Sequence, residues 1–561
     1  MIERELRTLV REAIADAART GDLSTSETPV FDVTQPQRRE HGDWTTNAAL
    51  VLQKIESRPP RQIAEIIVRN LPARDWIRAV DIAGPGFINF HLSNVWLQET
   101  CDRVLALGHR FGAADEGAGQ SVNVEFVSAN PNGPLTVGHG RHAAVGDSVA
   151  RLLEFTGHKV TREYYFNDAG LQMELFGQSV AVRYLQLLGR DAELPEGGYQ
   201  GAYVADLARE IREEHGDDLA DLRFEELGDR MRELAYLKAR GWIERTLIRL
   251  GVSFDIWFNE RDLYDTGRVA DAIERLRASG HVYEKEGAVW LASEKLGDSR
   301  DRVLVRSYGP KLPTYLAPDL AYHVDKASRG FDRMIDIFGA DHSGQVPSLE
   351  VALPMLGVDR ERLEFIIVQF VRLFRSGEAV SMGTRTGQFV TVDELLDEVG
   401  PDATRYTYLQ TSVDHDVNFD IEEVKRQSME NPVYYVQYAH ARIASILRHA
   451  AEEGVIEEGD VVWEELHHEA ELDLMRAIAS FEETVLVAAR QRAPYRLTKY
   501  AEDLARHFHR FYTECRVVTE DATLTRARLA LARSAKQVLA NALDLLGVSA
   551  PERMERADDV A

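Results

Sequence analysis

The stretch Ser128-Ala-Asn-Pro-Asn-Gly-Pro-Leu-Thr-Val-Gly-His-Gly-Arg141 limits what this chain can fold into more than any other. An apolar run, Val122 to Val127, precedes it and reads as a strand. Arg141 to Phe155 follows and reads as a helix. Pro131 and Pro134, with Gly133, Gly138 and Gly140, fill the junction, so backbone can approach a ligand closely there. The loop delivers His139 to a helix start, where free N–H groups and the helix dipole favour phosphate. It is neither a Walker loop, which ends in Gly-Lys-Ser/Thr, nor a Gly-x-Gly-x-x-Gly dinucleotide turn.

The 561 residues suffice for three or four domains and a large core. With 44% hydrophobic and 28% charged residues the composition is globular. There is no run of about 18 apolar residues, so no membrane span is expected. The start, Met-Ile-Glu-Arg-Glu-Leu-Arg, lacks the basic segment and apolar core of a signal peptide. Cys101 and Cys515 are too far apart in sequence for a Cys-x-x-Cys pair, which argues against a disulfide framework or structural zinc and for a reducing cytoplasm. Net charge is −26, from 66 basic and 92 acidic residues. That opposes indiscriminate nucleic-acid binding, but local patches, not totals, decide specific binding.

Four regions follow. Residues 1–115 open with a helix-like Ile2 to Ala18, continue through a helical Gln62 to Leu71, and end in strands around Gly84-Pro-Gly-Phe-Ile-Asn-Phe90, a small α+β domain. Ala113 to Gly119 is a linker. Residues 116–390 alternate strand-like and helix-like segments, as a parallel sheet with crossover helices requires. A polar insertion at about 190–250 (Asp191 to Asp229, then a long helix Arg230 to Leu250) interrupts them. Residues 391–430 connect onward, and 431–561 read as an all-α bundle.

The HIGH-like loop resembles the signature of class I aminoacyl-tRNA synthetases, and Val124-Glu-Phe-Val-Ser-Ala-Asn-Pro131 resembles their arginyl branch. The likeness continues through Glu163-Tyr-Tyr-Phe-Asn-Asp-Ala-Gly-Leu-Gln172, Pro313-Thr-Tyr-Leu-Ala-Pro-Asp-Leu-Ala-Tyr-His323 and Gly339-Ala-Asp-His342. A KMSKS-like Ser381-Met-Gly-Thr-Arg-Thr-Gly387, then Asn431-Pro-Val-Tyr-Tyr-Val-Gln-Tyr-Ala-His-Ala-Arg442 and Leu546-Gly-Val-Ser-Ala-Pro-Glu-Arg-Met554, complete the series. The resemblance implies a multidomain α/β protein: a Rossmann-type parallel-sheet catalytic core, an N-terminal tRNA D-loop-binding module and a helical anticodon-binding domain. It implies ATP-dependent formation of arginyl-adenylate, then transfer of arginine to the 3′ end of its tRNA. Such chemistry asks for positioning and phosphate charge stabilisation, not a side-chain nucleophile.

On that resemblance, the HIGH-like motif spans Ala129, Asn130, Pro131, Asn132, Gly133, Pro134, Leu135, Thr136, Val137, Gly138 and His139. His139 would donate to ATP phosphates, with Gly138 and Gly140 letting the adenosine pack close. Thr136 stands where the motif's first His usually sits. Asp341, Met382 and Arg385 complete the ATP set. Arginine would be held by Glu125, Ser128, Asn130, Tyr315, Asp319 and His342, because a planar guanidinium wants carboxylates placed as a fork. Gln345 is a looser candidate, and Asn167 and Asp168 shape a turn beside the site. The KMSKS-like loop departs most from its class: Ser381, Gly383 and Thr384 replace Lys, Ser and Lys, and Gly133 stands where a compensating Lys is often found. Arg385 is the nearest cation to take over the phosphate role.

RNA contacts are implied at Asn89, Tyr435, Ala439, Tyr512 and Met554, since aromatic stacking reads splayed bases. Tyr435 and Tyr438 equally fit an amphipathic helix core, and Asn89 a strand. Expected partners are arginine tRNA, ATP and L-arginine, with Mg²⁺ carried on ATP, no tightly bound cofactor, no membrane, and a monomeric state. The rivals are a class I synthetase for another amino acid, a small nucleotidyltransferase, and an inactive synthetase-like RNA-binding protein, the last motivated by the eroded signature loops.

Overall fold

A computed structural model describes the chain except residues 1, 26–28, 37, 39–40, 308–312, 381–389, 456–458 and 555–561. The N-terminal region pairs four antiparallel strands, in the order Val33–Thr34, Trp44–Thr46, Phe87–Leu92, Ile77–Ala83. Helices Ile2–Thr20, Ala48–Glu56 and Pro60–Arg69 cover it. Leu6, Val10, Ile14, Ile63, Ile67, Ile88 and Phe90 meet in its core, as their helical and alternating spacing requires.

The second region is built on five parallel strands in the order Leu363–Val368, Arg333–Gly339, Ser121–Glu125, Lys159–Phe166, Ile256–Asn259. Ser121–Glu125 comes first in the chain and lies central; later strands are laid down on one side of it, then on the other. The direction switches between Ser121–Glu125 and Arg333–Gly339. In such sheets the crevice outside the carboxyl ends at the switch is where ligands bind. The segments leaving those two strands are the HIGH-like loop and Gly339-Ala-Asp-His342.

The strand expected to run to Val127 ends at Glu125, because Val127 and Ser128 turn into the left-handed region, with φ of 68° and 40°. A β-branched residue there is strained by about 1–3 kcal/mol. The turn is held by Ser128 N–H on Phe126 O (3.0 Å), Ser128 Oγ on Glu125 Oε1 (2.9 Å), and Tyr164 Oη on the backbone of Ala129 (3.0 Å). The following helix begins earlier than Arg141, at Val137, and runs to Phe155.

The insertion holds two helices, Ala202–His215 and Phe224–Arg249, the second starting before Arg230. A three-stranded antiparallel sheet, Val282–Lys285, Ala288–Leu291 and Arg302–Val305, also stands in this region, unmarked by any sequence motif. Beyond Asn431 five helices, Pro432–Glu452, Glu469–Ala479, Phe481–Arg490, Tyr495–Glu514 and Ala522–Leu545, form the bundle. Helix Val95–Leu107 docks on this bundle: Trp463 Nε1 donates to Asp102 (2.8 Å), and Asn541 Nδ2 to Gly108 O just beyond the helix (3.0 Å). Among the described residues no helix is long and apolar enough to cross a membrane.

Candidate active site

Thr136 is the N-cap of helix Val137–Phe155, and His139 is its third residue. The Thr136 N–H donates to His139 Nδ1 at 3.1 Å, with Thr136 Oγ1 at 3.2 Å from the same nitrogen. His139 thus fills the place a Glu takes in a capping box. Burial pushes its pKa down to about 4, and nearby His342 acts the same way against Asp341. The ring is neutral at pH 7. With Nδ1 accepting, its proton is on Nε2, a donor in the first turn of the helix, where N–H groups lack intrahelical partners. Asp341 and His342, both largely exposed, stand in the short turn after strand Arg333–Gly339.

The two glycines differ. A Cβ on Gly138 would approach only Thr136 Oγ1, at 3.9 Å, so it leaves the helix start open. A Cβ on Gly140 would meet the Tyr408 ring and Val392 at 3.1 Å. On that side Gly140 is therefore packed against Tyr408 and Val392. The KMSKS-like loop, with Met382 and Arg385, lies outside the described residues. The segment after it does meet the HIGH-like loop: Val392 N–H donates to Leu135 O (2.8 Å), and Thr391 bridges to Thr136.

The opposite wall is helix Leu316–Ser328, which follows Tyr315. Tyr315, Asp319 and His323 recur every four residues, and Lys326 and Arg329 continue the stripe. Beneath it, Glu163, Glu125 and Asp336 stand in register on three adjacent strands. Three cations bond these three acids, with Lys326 and Asp336 each shared. Arg329 bonds Glu163 (2.9 Å), Lys326 bonds both Glu125 (2.6 Å) and Asp336 (2.5 Å), and His323 Nε2 bonds Asp336 (2.8 Å). His323 Nδ1 reaches Asp319 O at 2.7 Å. Both of its partners accept, so His323 is an imidazolium. Burial opposes that charge, but Asp336 raises its pKa. Asp336 is likewise held low by Lys326 and His323 against burial. Burial pushes Glu125 up, although Lys326 pulls it down.

Glu125, expected to take the substrate's guanidinium, is thus already engaged by Lys326 and Ser128. Asp319 is not: it extends the stripe past the acids, and among the described residues no cation bonds its carboxylate. Burial lifts its pKa to about 6, with Glu125 adding to the effect and His323 opposing it. Glu260, which no motif singled out, sits beside it. It is buried, accepts Tyr165 Oη at 2.7 Å, and is pushed to about 8 by burial, with Asp319 contributing. Tyr264 lies among Glu260, Asp319 and Tyr315, and its pKa is raised by burial and those neighbours. Two recessed acids ringed by Tyr165, Tyr264 and Tyr315 make a receptor for a flat, spread cation.

The remaining expected residues divide. Asn130 Nδ2 bonds Gln172 (3.0 Å) and Asn132 Nδ2 bonds Tyr199 Oη (2.8 Å). Gln345 caps helix Val346–Ala352. Asp168 is structural: it takes the backbone and guanidinium of Arg261 (3.0 and 2.5 Å). In the bundle, Tyr435 packs on His509 with ring centroids 5.0 Å apart, and Tyr512 is exposed beneath Arg442, 4.8 Å above its ring. Met554 is half-buried at the end of the described chain. Two further expected RNA contacts are buried in the free chain. Ala439 is wholly buried between bundle helices, and Asn89 is 2% exposed with its amide on Asp81 (3.1 Å).

Residues 101–427 match the family model for the catalytic domain of class I (R) tRNA synthetases, residues 4–92 the arginyl tRNA synthetase N terminal domain, and residues 436–554 the DALR anticodon binding domain. The chain belongs to the arginyl-tRNA synthetases. Among such synthetases, the arginine–tRNA ligase of Heliobacterium modesticaldum is 44% identical over 559 residues, 99% of each chain. That of Moorella thermoacetica is 46% identical over 556 residues, 98% of this chain and 99% of that one. The arginyl-tRNA synthetase structure from Thermus thermophilus, 24% identical, shares the fold over 99% of this chain and 100% of that chain, with a TM-score of 0.76.

Proposed function

We infer that this chain is an arginine–tRNA ligase: it activates L-arginine with ATP to arginyl-adenylate and pyrophosphate, then passes the arginyl group to the 3′ end of its tRNA. The observation that carries the substrate side is the pair Asp319, one helical turn from Tyr315, and Glu260, both recessed and without a cationic partner among the described residues. An arginine side chain entering from Tyr315 brings its guanidinium between them, with Tyr165 and Tyr264 against its faces and edges. Its α-amino and carboxylate ends then lie toward Asn130, Ser128 and the first turn of helix Val137–Phe155.

ATP lies across the switch of strand order. His139 Nε2–H and the free N–H groups at the helix start hold the phosphates, and Asp341 and His342 take the ribose side. The arginine carboxylate attacks the α-phosphorus; pyrophosphate leaves with the bond electrons. His139 keeps its proton throughout, because a ring with a pKa near 4 is a donor and not a base at neutral pH. Arg385 supplies positive charge to the departing pyrophosphate. Mg²⁺, a hard cation that keeps most of its water, would come with ATP on its phosphates. In this reading Tyr435 and Tyr512 on the bundle stack on anticodon bases. The chain carries every named residue itself, which fits a monomer, and its two buried free cysteines fit the cytoplasm.

The test is ATP–pyrophosphate exchange with arginine, lysine and citrulline, with and without arginine tRNA. Exchange with arginine alone among the three is expected. No exchange with any of them, with tRNA binding intact, would establish the inactive RNA-binding protein instead.

A further inference from the structure

We propose that the short helix Pro401–Leu409 is a positioning element for His139, linking the nucleotide-loop helix to the helical bundle through Tyr408, Arg405 and Asp402. The proposal rests on the reading of His139 as the phosphate donor. This helix lies in the connecting region after the KMSKS-like loop and carries no motif of its own. Its side chains nonetheless hold the nucleotide-loop helix at two heights. At the first turn, the Tyr408 ring abuts Gly140, with no side chain between them. Two turns on, Asp147 Oδ2 accepts Arg405 Nη2 at 2.6 Å. Both Arg405 and Asp147 are buried. Two contacts along one helix fix both its tilt and its register, and His139 is the residue before Gly140.

The same guanidinium extends the link outward. Arg405 Nε donates to Leu546 O (3.0 Å), at the end of the last bundle helix, and Nη1 to Leu250 O (3.0 Å), at the end of the insertion's long helix. Asp402 accepts Gln437 Nε2 (2.8 Å) from helix Pro432–Glu452 and the backbone N–H of Ser549 (3.0 Å). Gln437 lies two residues from Tyr435 in sequence. Removing any of these ties leaves every group that touches substrate in place and changes only how firmly the His139 turn is held. A misplacement of about 1 Å in such a site costs about 100-fold in rate.

The experiment measures kcat and KM in exchange with arginine, ATP and arginine tRNA, alongside melting temperature, for four variants of the full chain. Asp402→Ala is partly exposed and folds; kcat is expected to fall about 3- to 10-fold with both substrate KM values within about twofold. Tyr408→Leu removes the abutting ring and is expected to lower kcat about 10-fold or more. Tyr408→Phe keeps the ring and loses only a buried hydroxyl that has no partner among the described residues, so it restores kcat to within about twofold of the parent. His139→Ala is the control for the site itself. Full kcat in folded Asp402→Ala and Tyr408→Leu, with His139→Ala inactive, overturns the positioning role alone. Full activity in His139→Ala overturns the reading of the site. Loss in Tyr408→Phe equal to that in Tyr408→Leu would also overturn it, since the ring would then not be what matters.

Discussion

The floor and the wall of the arginine pocket are built from the same kind of residue and behave oppositely. On the floor, Glu163, Glu125 and Asp336 meet Arg329, Lys326 and His323, three acids bonded by three cations. On the wall, Asp319 and Glu260 have no cation among the described residues, and burial lifts them to about 6 and about 8. A buried ion pair adds little net stability but punishes the loss of one partner, whereas an unpaired acid stores a demand for a cation. The contrast teaches that a carboxylate near a site is a substrate ligand only when the fold has left it unmatched.

The strongest way to break the contrast is to compare Asp319→Asn with Glu125→Gln. Asp319→Asn is expected to lower kcat/KM for arginine by roughly 10⁴, because a site built for a polar partner fails badly without it. Glu125→Gln should act mainly through stability and leave the KM for arginine much nearer the parent. Equal losses in arginine KM would erase the distinction between floor and wall.

Next in size is Lys326→Met. It strips the shared ammonium from two buried acids and is expected to cost about 3–5 kcal/mol in urea unfolding. Adding Glu125→Gln to it should recover part of that loss, since one stranded charge is removed with its partner. A double variant no more stable than Lys326→Met would show that Lys326 acts through shape and not charge.

How much of this was legible in the sequence follows the same physics. The HIGH-like loop announced itself because prolines, glycines and a histidine between a strand and a helix have few other uses, and the structure places His139 at the helix start as that pattern requires. Asp319 was legible through the resemblance carried by Pro313 to His323. Lys326 was within reach, since it falls on the same helical face, but nothing marks a lysine as facing inward until the acids beneath it are in register. Glu260 was hidden: it closes a strand that shares no motif with Asp319, and only the fold brings them together. The burial of Asn89 and Ala439 was hidden for a related reason. A resemblance fixes position in the chain, while exposure depends on partners such as Asp81 and the neighbouring bundle helices. The packing of Gly140 on Tyr408 was hidden because a glycine records a close approach without saying of what.

Smaller effects come from pH. Both wall acids must be charged to hold a cation, and both have raised pKa values, so arginine affinity rises with pH and is lost as pH falls through about 8 and then about 6. It should change by about tenfold per pH unit between 6 and 8, and more steeply below. The contribution of these acids to the stability of the free protein runs the other way, falling as pH rises from their unfolded values toward 8, because the fold favours their protonated forms. The gain in melting temperature from arginine is therefore expected to be larger at pH 8 than at pH 6. The smallest effect is Glu260→Gln at pH 6, where Glu260 is already neutral: affinity there should stay within about twofold, while the rise toward pH 8 flattens.

The most direct measurement is the number of protons released when arginine binds at pH 7, from calorimetry in buffers of different ionisation enthalpy. The account predicts about one proton, given up by Glu260 as the guanidinium arrives, and almost none from Glu260→Gln. Binding with no proton release, or the same release from Glu260→Gln, would contradict the claim that the unmatched wall receives the substrate's charge.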